Sequence, residues 1–324
     1  MLQLIYKFKN KIIMLTLRRF KIPLLPLIFT LCGSCFNDSS ESIGTGNNEL
    51  GLSKIVIALK ANKNPELMLS EKLELEEYLS AKLKRKVDVL IPTDSSIIVE
   101  SFRNGTLDIG YLSSTDAVRN IEQSTASLFL VHLKNGNPFY HSVWLSLKDK
   151  PYNSILDLES LPVSFASRSS TSGFLIPVYD LVQRGLVGPN SSLDDFFSKT
   201  VYGTGYVSAV KKVLSGEVEA AAVSDYVYLE NNYLDDIDRA KLKIVQSQGP
   251  VPSHTLCIRS SISNNDKKLL LNAFLELNRE NPSLCNRVFN GKLVTTKQDK
   301  HLGILNQAIE TQKTMMTKEV LPPS

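Results

Sequence analysis

Apolar residues recur along this chain in two different patterns. Short continuous or alternating apolar runs predict β-strands, whereas apolar residues at every third or fourth position predict amphipathic helices. The first clear strand covers residues 54–59 (KIVIAL), and Pro65 then begins a helix with apolar residues at positions 75, 78, 79 and 83. Proline suits this position because the first N–H groups of a helix have no acceptor within it. The two patterns alternate towards the C-terminus, which predicts an α/β protein.

The further predicted elements follow the same alternation. We predict strands at 87–91, 107–111, 128–133, 143–147, 163–166, 220–223, 243–245 and 255–259. We predict helices at 96–103, 115–123, 156–160, 174–184, 208–214, 269–278 and 304–316. Alternating strands and helices build parallel sheets with helices on both faces, and ligands then bind beyond the carboxyl ends of the strands.

The N-terminal residues have the layout of a secretory signal peptide. A basic stretch precedes an apolar run at 22–34, and small residues precede Cys35. The run is shorter than the roughly 20 apolar residues of a membrane-spanning helix, and it contains two prolines. We predict a signal peptide at 1–34, with translation beginning at Met1 or Met14. The protein is then exported to the periplasm or the cell surface.

Cys35 resembles the lipid-modified cysteine of bacterial lipoproteins, because Gly33 and Ser34 suit the two positions before it. Cys32 and Cys35 also have the Cys-x-x-Cys spacing of a redox pair. Such a pair begins a helix after a strand, whereas this one ends an apolar leader. The residues that follow are rich in Ser, Asn and Gly, which predicts a flexible tether. We therefore predict a lipid anchor at Cys35 and a tether over 35–52.

The length of the mature chain predicts two lobes with a cleft between them. The 290 residues that follow the signal exceed what one compact sheet usually needs. Proline-containing segments near 147–151 and 249–253 are the predicted crossings between the lobes. We therefore predict lobe 1 at 53–147 plus 250–324 and lobe 2 at 148–249.

Composition and charge exclude several classes of protein. Hydrophobic residues make up 43% and charged residues 22% of the chain, which excludes a disordered or collagen-like protein. Six of the 37 basic residues lie in the predicted signal. The rest of the chain has 31 basic and 33 acidic residues, so its net charge does not indicate nucleic-acid binding. The four histidines lack metal-ligand spacing, and no nucleotide-binding or hydrolase motif occurs. We predict no metal, no cofactor and no catalysis.

A run of hydroxyl residues at 169–173 (SSTSG) is the strongest candidate site. It follows the strand predicted at 163–166 and precedes the helix predicted at 174–184. The free N–H groups and positive dipole end of a helix, together with side-chain hydroxyls, form a cradle for a tetrahedral oxyanion. A single hydroxyl acting as a helix N-cap is the alternative explanation, but four in a row exceed what capping requires.

Residues 169–177 (SSTSGFLIP) resemble the signature of the phosphate, phosphite and phosphonate substrate-binding proteins of ABC importers. Three further segments resemble the same family in the expected order: 102–118 (FRNGTLDIGYLSSTDAV), 213–226 (VLSGEVEAAAVSDY) and 249–259 (GPVPSHTLCIR). The resemblance covers most of residues 54–290. It implies the two-lobed type II periplasmic-binding-protein fold, with each lobe a mostly parallel sheet flanked by helices and a ligand cleft between the lobes.

The resemblance also implies which residues bind the ligand. Backbone N–H groups and hydroxyls of the run would hold the oxyanion; these residues are Ser170, Thr171 and Ser172. Tyr111 would donate a hydrogen bond from lobe 1, and Tyr206 stands where the family often has histidine. Asp225 would accept a hydrogen bond from a protonated ligand oxygen or a ligand amine, and its charge would disfavour sulfate.

The implied function is capture of a phosphorus oxyanion for an ABC permease and its ATPase by a monomeric, lipid-anchored protein. An exported sensor with the same fold and a binder of another anion, such as a sulfonate, remain alternatives. A hydrolase that uses Ser170 or Ser172 with a histidine is a third. Cys257 and Cys285 either form one disulfide or remain buried thiols, and the sequence leaves this open.

Overall fold

The structure is a computed structural model that describes residues 49–60, 65–92, 94–188 and 191–319. The strands of these residues pair into two sheets, and helices cover each sheet. The fold is thus the two-lobed α/β architecture that the sequence predicted. The predicted signal at 1–34, the lipidation site Cys35 and residues 36–48 of the predicted tether lie outside the described residues.

The first sheet defines lobe 1. Its strands in the described ranges are β1 (Lys54–Leu59), β2 (Lys86–Leu90), β3 (Ile109–Leu112), β4 (Ala126–Leu133), β10 (Thr255–Arg259) and β11 (Lys292–Val294). Their spatial order is β11–β4–β10–β3–β1–β2. β1 runs parallel to β2 and β3, whereas β10 is antiparallel to β3 and β4. The carboxyl ends of β1 and β3 therefore lie at the same edge of this sheet.

The second sheet defines lobe 2. Its strands in the described part of the chain are β5 (Phe139–Leu147), β6 (Pro162–Phe165), β7 (Lys199–Tyr202), β8 (Ala220–Ser224) and β9 (Leu242–Pro252), in the spatial order β7–β6–β8–β5–β9. β6 is parallel to β7 and β8, and β5 is antiparallel to β8 and β9. Both sheets are therefore mixed rather than mostly parallel. The reason is that β5 and β10, the first strands after each crossing, run against their neighbours, as does β11 at the edge of the first sheet.

The helices pack on both faces of the sheets. Lobe 1 carries α1 (Pro65–Leu83), α2 (Ser95–Arg103), α3 (Ser114–Glu122), α8 (Asn264–Glu280) and α9 (Pro282–Phe289). Lobe 2 carries a π-helical turn (Thr171–Leu175) that continues into α4 (Ile176–Gln183), followed by α5 (Tyr206–Leu214), α6 (Asp225–Leu229) and α7 (Asp236–Ala240). The last helix is α10 (Gln298–Glu319). None of the helices in the described ranges combines the length and the apolarity of a membrane span.

Strand side chains alternate between two apolar layers in lobe 1. Ile55 and Ile57 of β1 belong to the layer formed with α1, α8 and α9, which includes Phe274. Ala58 belongs to the opposite layer, with Phe102 of α2. All of these side chains are buried. Successive side chains of β1 therefore enter opposite apolar layers. A continuous apolar run such as 54–59 predicts this burial on both faces of the sheet.

The crossings between the lobes differ from the predicted ones. The chain leaves lobe 1 after β4 at residues 134–138 and returns at 253–254, between β9 and β10. The prediction placed the first crossing near 147–151, which would leave β5 in lobe 1. The apolar pattern of β5 fits either sheet, and its pairing with β8, from Ser142↔Ser224 to Ser146↔Ala220, places it in lobe 2.

α10 lies inside the range predicted for lobe 1 but packs largely on lobe 2. Leu302, Leu305 and Ala308 belong to the same apolar cluster as Phe174 of lobe 2, and Val118 of α3 belongs to that cluster as well. α10 contacts α4 and β9 in lobe 2 and α3 in lobe 1. The C-terminal helix thus connects the two lobes instead of extending one of them.

The two cysteines of the described residues, Cys257 and Cys285, are free and buried. Cys257 lies on β10 and Cys285 on α9. Burial raises the pKa of Cys257 to about 12 and that of Cys285 to about 11, so both remain thiols at neutral pH. Of the two alternatives that the sequence left open, the structure therefore has two separate buried thiols and not a disulfide.

Candidate functional site

α3 begins at the edge of lobe 1 that faces lobe 2. Ser113 is its N-cap, because its hydroxyl accepts a hydrogen bond from the Asp116 N–H at 3.2 Å and donates to the Asp116 carboxylate at 2.6 Å. The N–H groups of Ser114 and Thr115 have no acceptor within the helix, since they lie in its first turn. The Ser114 hydroxyl donates to the carbonyl of Ser253, at the crossing between the lobes, over 2.7 Å.

The hydroxyl run of lobe 2 begins a helix, as predicted. Ser170 is the N-cap, and its hydroxyl accepts a hydrogen bond from the Gly173 N–H at 3.0 Å. Glycine is required here because a Cβ atom would lie 2.4 Å from the Cβ of Ala166 and 2.9 Å from the Oγ of Ser170. The turn can therefore approach the end of β6 closely. Its first N–H groups, from Thr171 and Ser172, have no acceptor within the helix.

α5 supplies a third helix N-terminus, with Tyr206 as its first residue. The Tyr206 hydroxyl lies 2.8 Å from the Oγ of Ser172, and the Tyr140 phenol donates to the same Oγ at 3.4 Å. Burial, with a further contribution from Tyr206, raises the pKa of Tyr140 well above its usual range. This phenol therefore stays protonated and can keep donating its hydrogen to Ser172.

These three helix N-termini surround a cavity of about 240 Å³ between the lobes. The Oγ1 atoms of Thr115 and Thr171, one from each lobe, are 2.7 Å apart and form a hydrogen bond between the lobes. The residues that line the cavity are Lys60, Ser113, Ser114, Asp116, Arg119, Tyr140, Ala166, Ser167, Ser169, Ser170, Thr171, Gly205, Tyr206, Pro252 and His254. Polar groups from both lobes thus converge on one volume.

The charges around the cavity favour a small anion. Each helix N-terminus presents N–H groups and the positive end of a helix dipole. Lys60 and Arg119 line the wall against one carboxylate, that of Asp116. Burial, followed by a smaller effect of Lys60, lowers the pKa of His254 well below its usual value, so this imidazole is neutral near pH 7. The arrangement can hold an anion through N–H groups, hydroxyls and cations.

Three of the six predicted ligand residues line the cavity: Ser170, Thr171 and Tyr206. Ser172 is not part of the wall and is fully buried. It lies behind Tyr206 and holds that phenol in place through the 2.8 Å contact between their oxygens. Two residues of the hydroxyl run, Ser170 and Thr171, thus line the cavity as the sequence predicted. Ser172 instead contacts a residue of the wall, Tyr206.

Tyr111 is not part of the cavity wall, so the structure gives no support to the prediction that it donates to a ligand from lobe 1. β3 lies inside the lobe 1 sheet between β1 and β10, and the Tyr111 side chain is only 1% exposed. Its hydroxyl lies 2.8 Å from Nδ1 of His132 and donates to the carbonyl of Phe289 at 3.1 Å. Ser113 and Ser114, just beyond the end of the strand, reach the cavity instead.

Asp225 also lies outside the cavity wall. Its carboxylate accepts a hydrogen bond from the His141 N–H at 3.0 Å, and the Ser224 hydroxyl donates to it over 3.4 Å. The predicted contact of Asp225 with a ligand proton or amine, and the discrimination against sulfate that depends on it, therefore stay predictions. Asp116 is the carboxylate that lines the cavity.

Sequence reasoning missed the lobe 1 wall. Residues 113–116 (SSTD) have the Ser-x-x-Asp spacing of a capping box directly after a strand, so a local signal for this helix start exists. Lys60, Arg119 and His254 carry no comparable signal, because each is a single polar residue beside a strand or on a helix. They meet only after β1, α3 and β10 have packed together.

A family model described as the periplasmic substrate-binding protein of phosphonate ABC transporters matches residues 57–301. The matched range contains every residue that lines the cavity. The phosphonates-binding periplasmic protein of Escherichia coli is 24% identical over 211 residues, which are 61% of this chain and 58% of that protein. A phosphate-import protein, PhnD, of Mycolicibacterium smegmatis is 25% identical over 194 residues, which are 58% of this chain and 57% of that protein. The chain thus spans less than two thirds of the length of either relative.

Solved structures share the fold. The structure of PhnD1 from Prochlorococcus marinus in complex with methylphosphonate has a TM-score of 0.65 at 18% identity, covering 81% of this chain and 99% of that chain. This likeness confirms the two-lobed α/β fold. The matching family is one of transport binding proteins and not of enzymes, in agreement with the prediction from the sequence. Because its model matches both lobes and the whole cavity wall, the chain belongs to the family of periplasmic substrate-binding proteins of phosphonate ABC transporters.

Proposed function

We propose that this protein captures a small phosphorus oxyanion (a phosphonate, phosphite or phosphate) between its lobes and delivers it to an ABC permease and its ATPase. The observation that carries this proposal is the convergence of the N-termini of α3, α5 and the turn before α4 on a cavity of about 240 Å³. Family membership supports it, as do the names of relatives that bind phosphonates or import phosphate.

The ligand contacts proposed here come from both lobes. In lobe 2, Ser170 and Thr171 hold the oxyanion through hydroxyls and N–H groups, and Tyr206 donates from the start of α5. In lobe 1, the Ser114 N–H group at the start of α3 takes the role that the sequence analysis predicted for Tyr111. The free N–H groups at these helix starts and the lining of the cavity support these assignments.

The strength of such contacts is sufficient for transport. Hydrogen bonds to a charged group contribute about 1.5–3 kcal/mol each. Five or six of them outweigh an association cost that begins at about 4 kcal/mol. The remaining free energy is enough for the roughly 8 kcal/mol that corresponds to micromolar affinity.

Ligand binding is proposed to stabilise a closed arrangement of the lobes. A ligand shifts the equilibrium between open and closed forms only by contacts that differ between them. An oxyanion held by helix starts on both lobes makes its full set of contacts only in the closed form. The hydrogen bond between Thr115 and Thr171 links the same two helix starts and supports this role.

Export and lipid anchoring complete the proposal. The tripartite layout of residues 1–34 supports a signal peptide, and the small residues before Cys35 support lipid attachment at that cysteine. The protein then acts as a monomer held at a membrane by its tether over 35–52. In cell fractionation we expect the wild-type protein with the membranes and Cys35→Ala in the soluble fraction; equal distribution of the two would argue against the anchor.

Calorimetric titration with methylphosphonate, phosphite, phosphate and sulfate tests the ligand class. We expect micromolar binding of at least one phosphorus oxyanion and an affinity about tenfold lower for Thr171→Ala, which loses a hydroxyl at the centre of the site. Thr311→Ala is the matched control, because that hydroxyl donates to the Gln307 carbonyl of its own helix. The proposal fails if no phosphorus oxyanion binds, if sulfate binds more tightly than all of them, or if both variants weaken binding equally.

A further inference from the structure

The charged side chains of the cavity wall all come from lobe 1. Lys60 follows β1, and Asp116 and Arg119 lie on α3. The lobe 2 residues of the wall are uncharged and mostly carry hydroxyl groups. Arg168, the cation next to the hydroxyl run, is not part of the wall, and its guanidinium lies over the Tyr202 ring at 4.3 Å from the ring centre. A bound ligand therefore meets a neutral wall on one side and a charged wall on the other.

Lys60 brings to the wall a positive charge that no carboxylate of the described residues neutralises. Within the described ranges Lys60 forms no ion pair, and the four residues that follow it, 61–64, include no acidic residue. Its charge reaches the cavity, since it contributes, after burial, to the low pKa of His254. The one carboxylate of the wall, Asp116, already accepts a hydrogen bond from Ser113 at 2.6 Å and lies 3.5 Å from Arg119.

The two walls fit the two ends of a substituted phosphonate. The tetrahedral group matches the uncharged cradle at Ser170 and Thr171, where helix N–H groups supply the positive potential. A cavity of about 240 Å³ leaves space beyond that group for an organic substituent. A cationic substituent finds no free carboxylate there, because Asp225 lies outside the wall and Asp116 is already bonded. An anionic substituent meets Lys60.

We propose that Lys60, assisted by Arg119 at the same wall, selects phosphonates whose organic substituent carries a second anionic group, such as a carboxylate. This inference rests on the proposed function, since it assigns the substituent of a ligand whose phosphonate group is held by the helix starts. Two features of the wall give the specificity: a lysine attracts carboxylates, and the one carboxylate that could attract an ammonium group is already paired.

Three phosphonates of similar size, whose organic substituents differ in charge, distinguish the effect of that charge from the effect of size. Phosphonoacetate carries a carboxylate, 2-oxopropylphosphonate replaces it with a neutral methyl ketone, and 2-aminoethylphosphonate carries an ammonium group. In calorimetric titrations at one pH and one salt concentration, we expect phosphonoacetate to bind about tenfold more tightly than the ketone, the equivalent of one charge-assisted hydrogen bond. We expect the ammonium ligand to bind more weakly than the ketone.

Variants at Lys60 test whether this lysine causes the preference for phosphonoacetate. Lys60→Met is expected to weaken binding of phosphonoacetate about tenfold more than binding of methylphosphonate, which removes the preference, and Lys60→Arg is expected to keep it. Lys211→Met is the matched control, because Lys211 is an exposed lysine of α5 that does not line the cavity. Methylphosphonate binding by each variant also shows that it is folded.

Two results overturn the proposal and leave the proposed function standing. One is wild-type protein that binds phosphonoacetate no more tightly than the ketone. The other is Lys60→Met that loses the same factor for methylphosphonate as for phosphonoacetate, which would place the lysine on the phosphonate oxygens. If no phosphorus ligand binds to the wild-type protein, the proposed function and this inference fail together.

Discussion

At the scale of single residues, the site depends on close packing behind the groups that face the ligand cavity. Ser172 accepts a hydrogen bond from Ser142 through its carbonyl and contacts Tyr206 through its hydroxyl. Gly173 allows the helix start to lie against the end of β6. These residues do not line the cavity, yet they fix the position of those that do. Substitutions behind the wall should therefore affect both stability and binding.

Gly173→Ala is expected to destabilise the protein by about 1–3 kcal/mol, because the added methyl group would overlap Ala166 and Ser170 in a tightly packed place. It should also weaken binding of the phosphorus oxyanion, since the helix start must move. Chemical denaturation and calorimetric titration measure the two effects.

Gly303→Ala is the matched control. A Cβ atom at Gly303, inside α10, meets no atom within 4 Å. The change should therefore stabilise the protein by about 0.5–1 kcal/mol, since alanine favours the helix. Equal effects of the two substitutions on stability would contradict the packing explanation for Gly173.

At the scale of elements, the helices and the long or strongly apolar strands follow local pattern closely. β1 and β10 occupy the residues predicted for them, and α3 differs by one residue at each end. The prediction missed the short elements β7, α6, α7, α9 and β11. Their short apolar segments show too few periods to separate strand, helix and loop. Element type was therefore readable wherever several periods were present.

The role of α10 as a connection between the lobes leads to a stability prediction. Leu305→Ala should destabilise the protein by about 2–5 kcal/mol, because Leu305 is fully buried in a cluster that contains residues of α3 and of lobe 2. Chemical denaturation measures the change. Asn306→Ala, at the exposed next position, should change stability by no more than about 0.5 kcal/mol. A loss below 1 kcal/mol for Leu305→Ala would mean that α10 is loosely attached.

At the scale of the whole molecule, the crossings between the lobes are built around buried neutral histidines. The Ser253 carbonyl accepts a hydrogen bond from Nε2 of His301 at 3.0 Å, and the Ser253 hydroxyl donates to the carbonyl of His132 at 2.8 Å. Burial lowers the pKa of His132 to about 4 and lowers the pKa values of His254 and His301 as well. Protonation of these groups opposes the folded state.

Stability should therefore fall with acidification between pH 6.5 and 4. The folded-state pKa of His132 lies below the value of 6.5 for an unfolded chain, so the unfolded state binds more protons in this range. The contribution of His132 is complete above pH 6.5 and is lost as the pH falls through about 4. It amounts to about 3 kcal/mol at 1.36 kcal/mol per pH unit.

Denaturation curves at several pH values measure this effect. His132→Gln should give a shallower dependence of stability on pH, because the glutamine does not titrate. His141→Gln, at an exposed histidine, is the control and should keep the wild-type slope. Parallel curves for the wild type and His132→Gln would show that acid sensitivity arises elsewhere.

The sequence by itself determined the α/β class, the division into two lobes and the hydroxyl helix start at Ser170 and Thr171. These features depend on periodicity and capping among neighbouring residues, which a chain carries in any environment. Even the start of α3 was predicted to within one residue, although its place in the cavity wall was not.

Only the tertiary structure decided which sheet takes β5, which way Tyr111 points and which charges line the cavity. A strand pattern with a period of two fits either of two sheets, and its register decides which face each side chain occupies. Lys60, Arg119 and His254 come from distant parts of the chain and meet only because β1, α3 and β10 pack side by side. Contacts of this kind are set by long-range packing, which no local pattern contains.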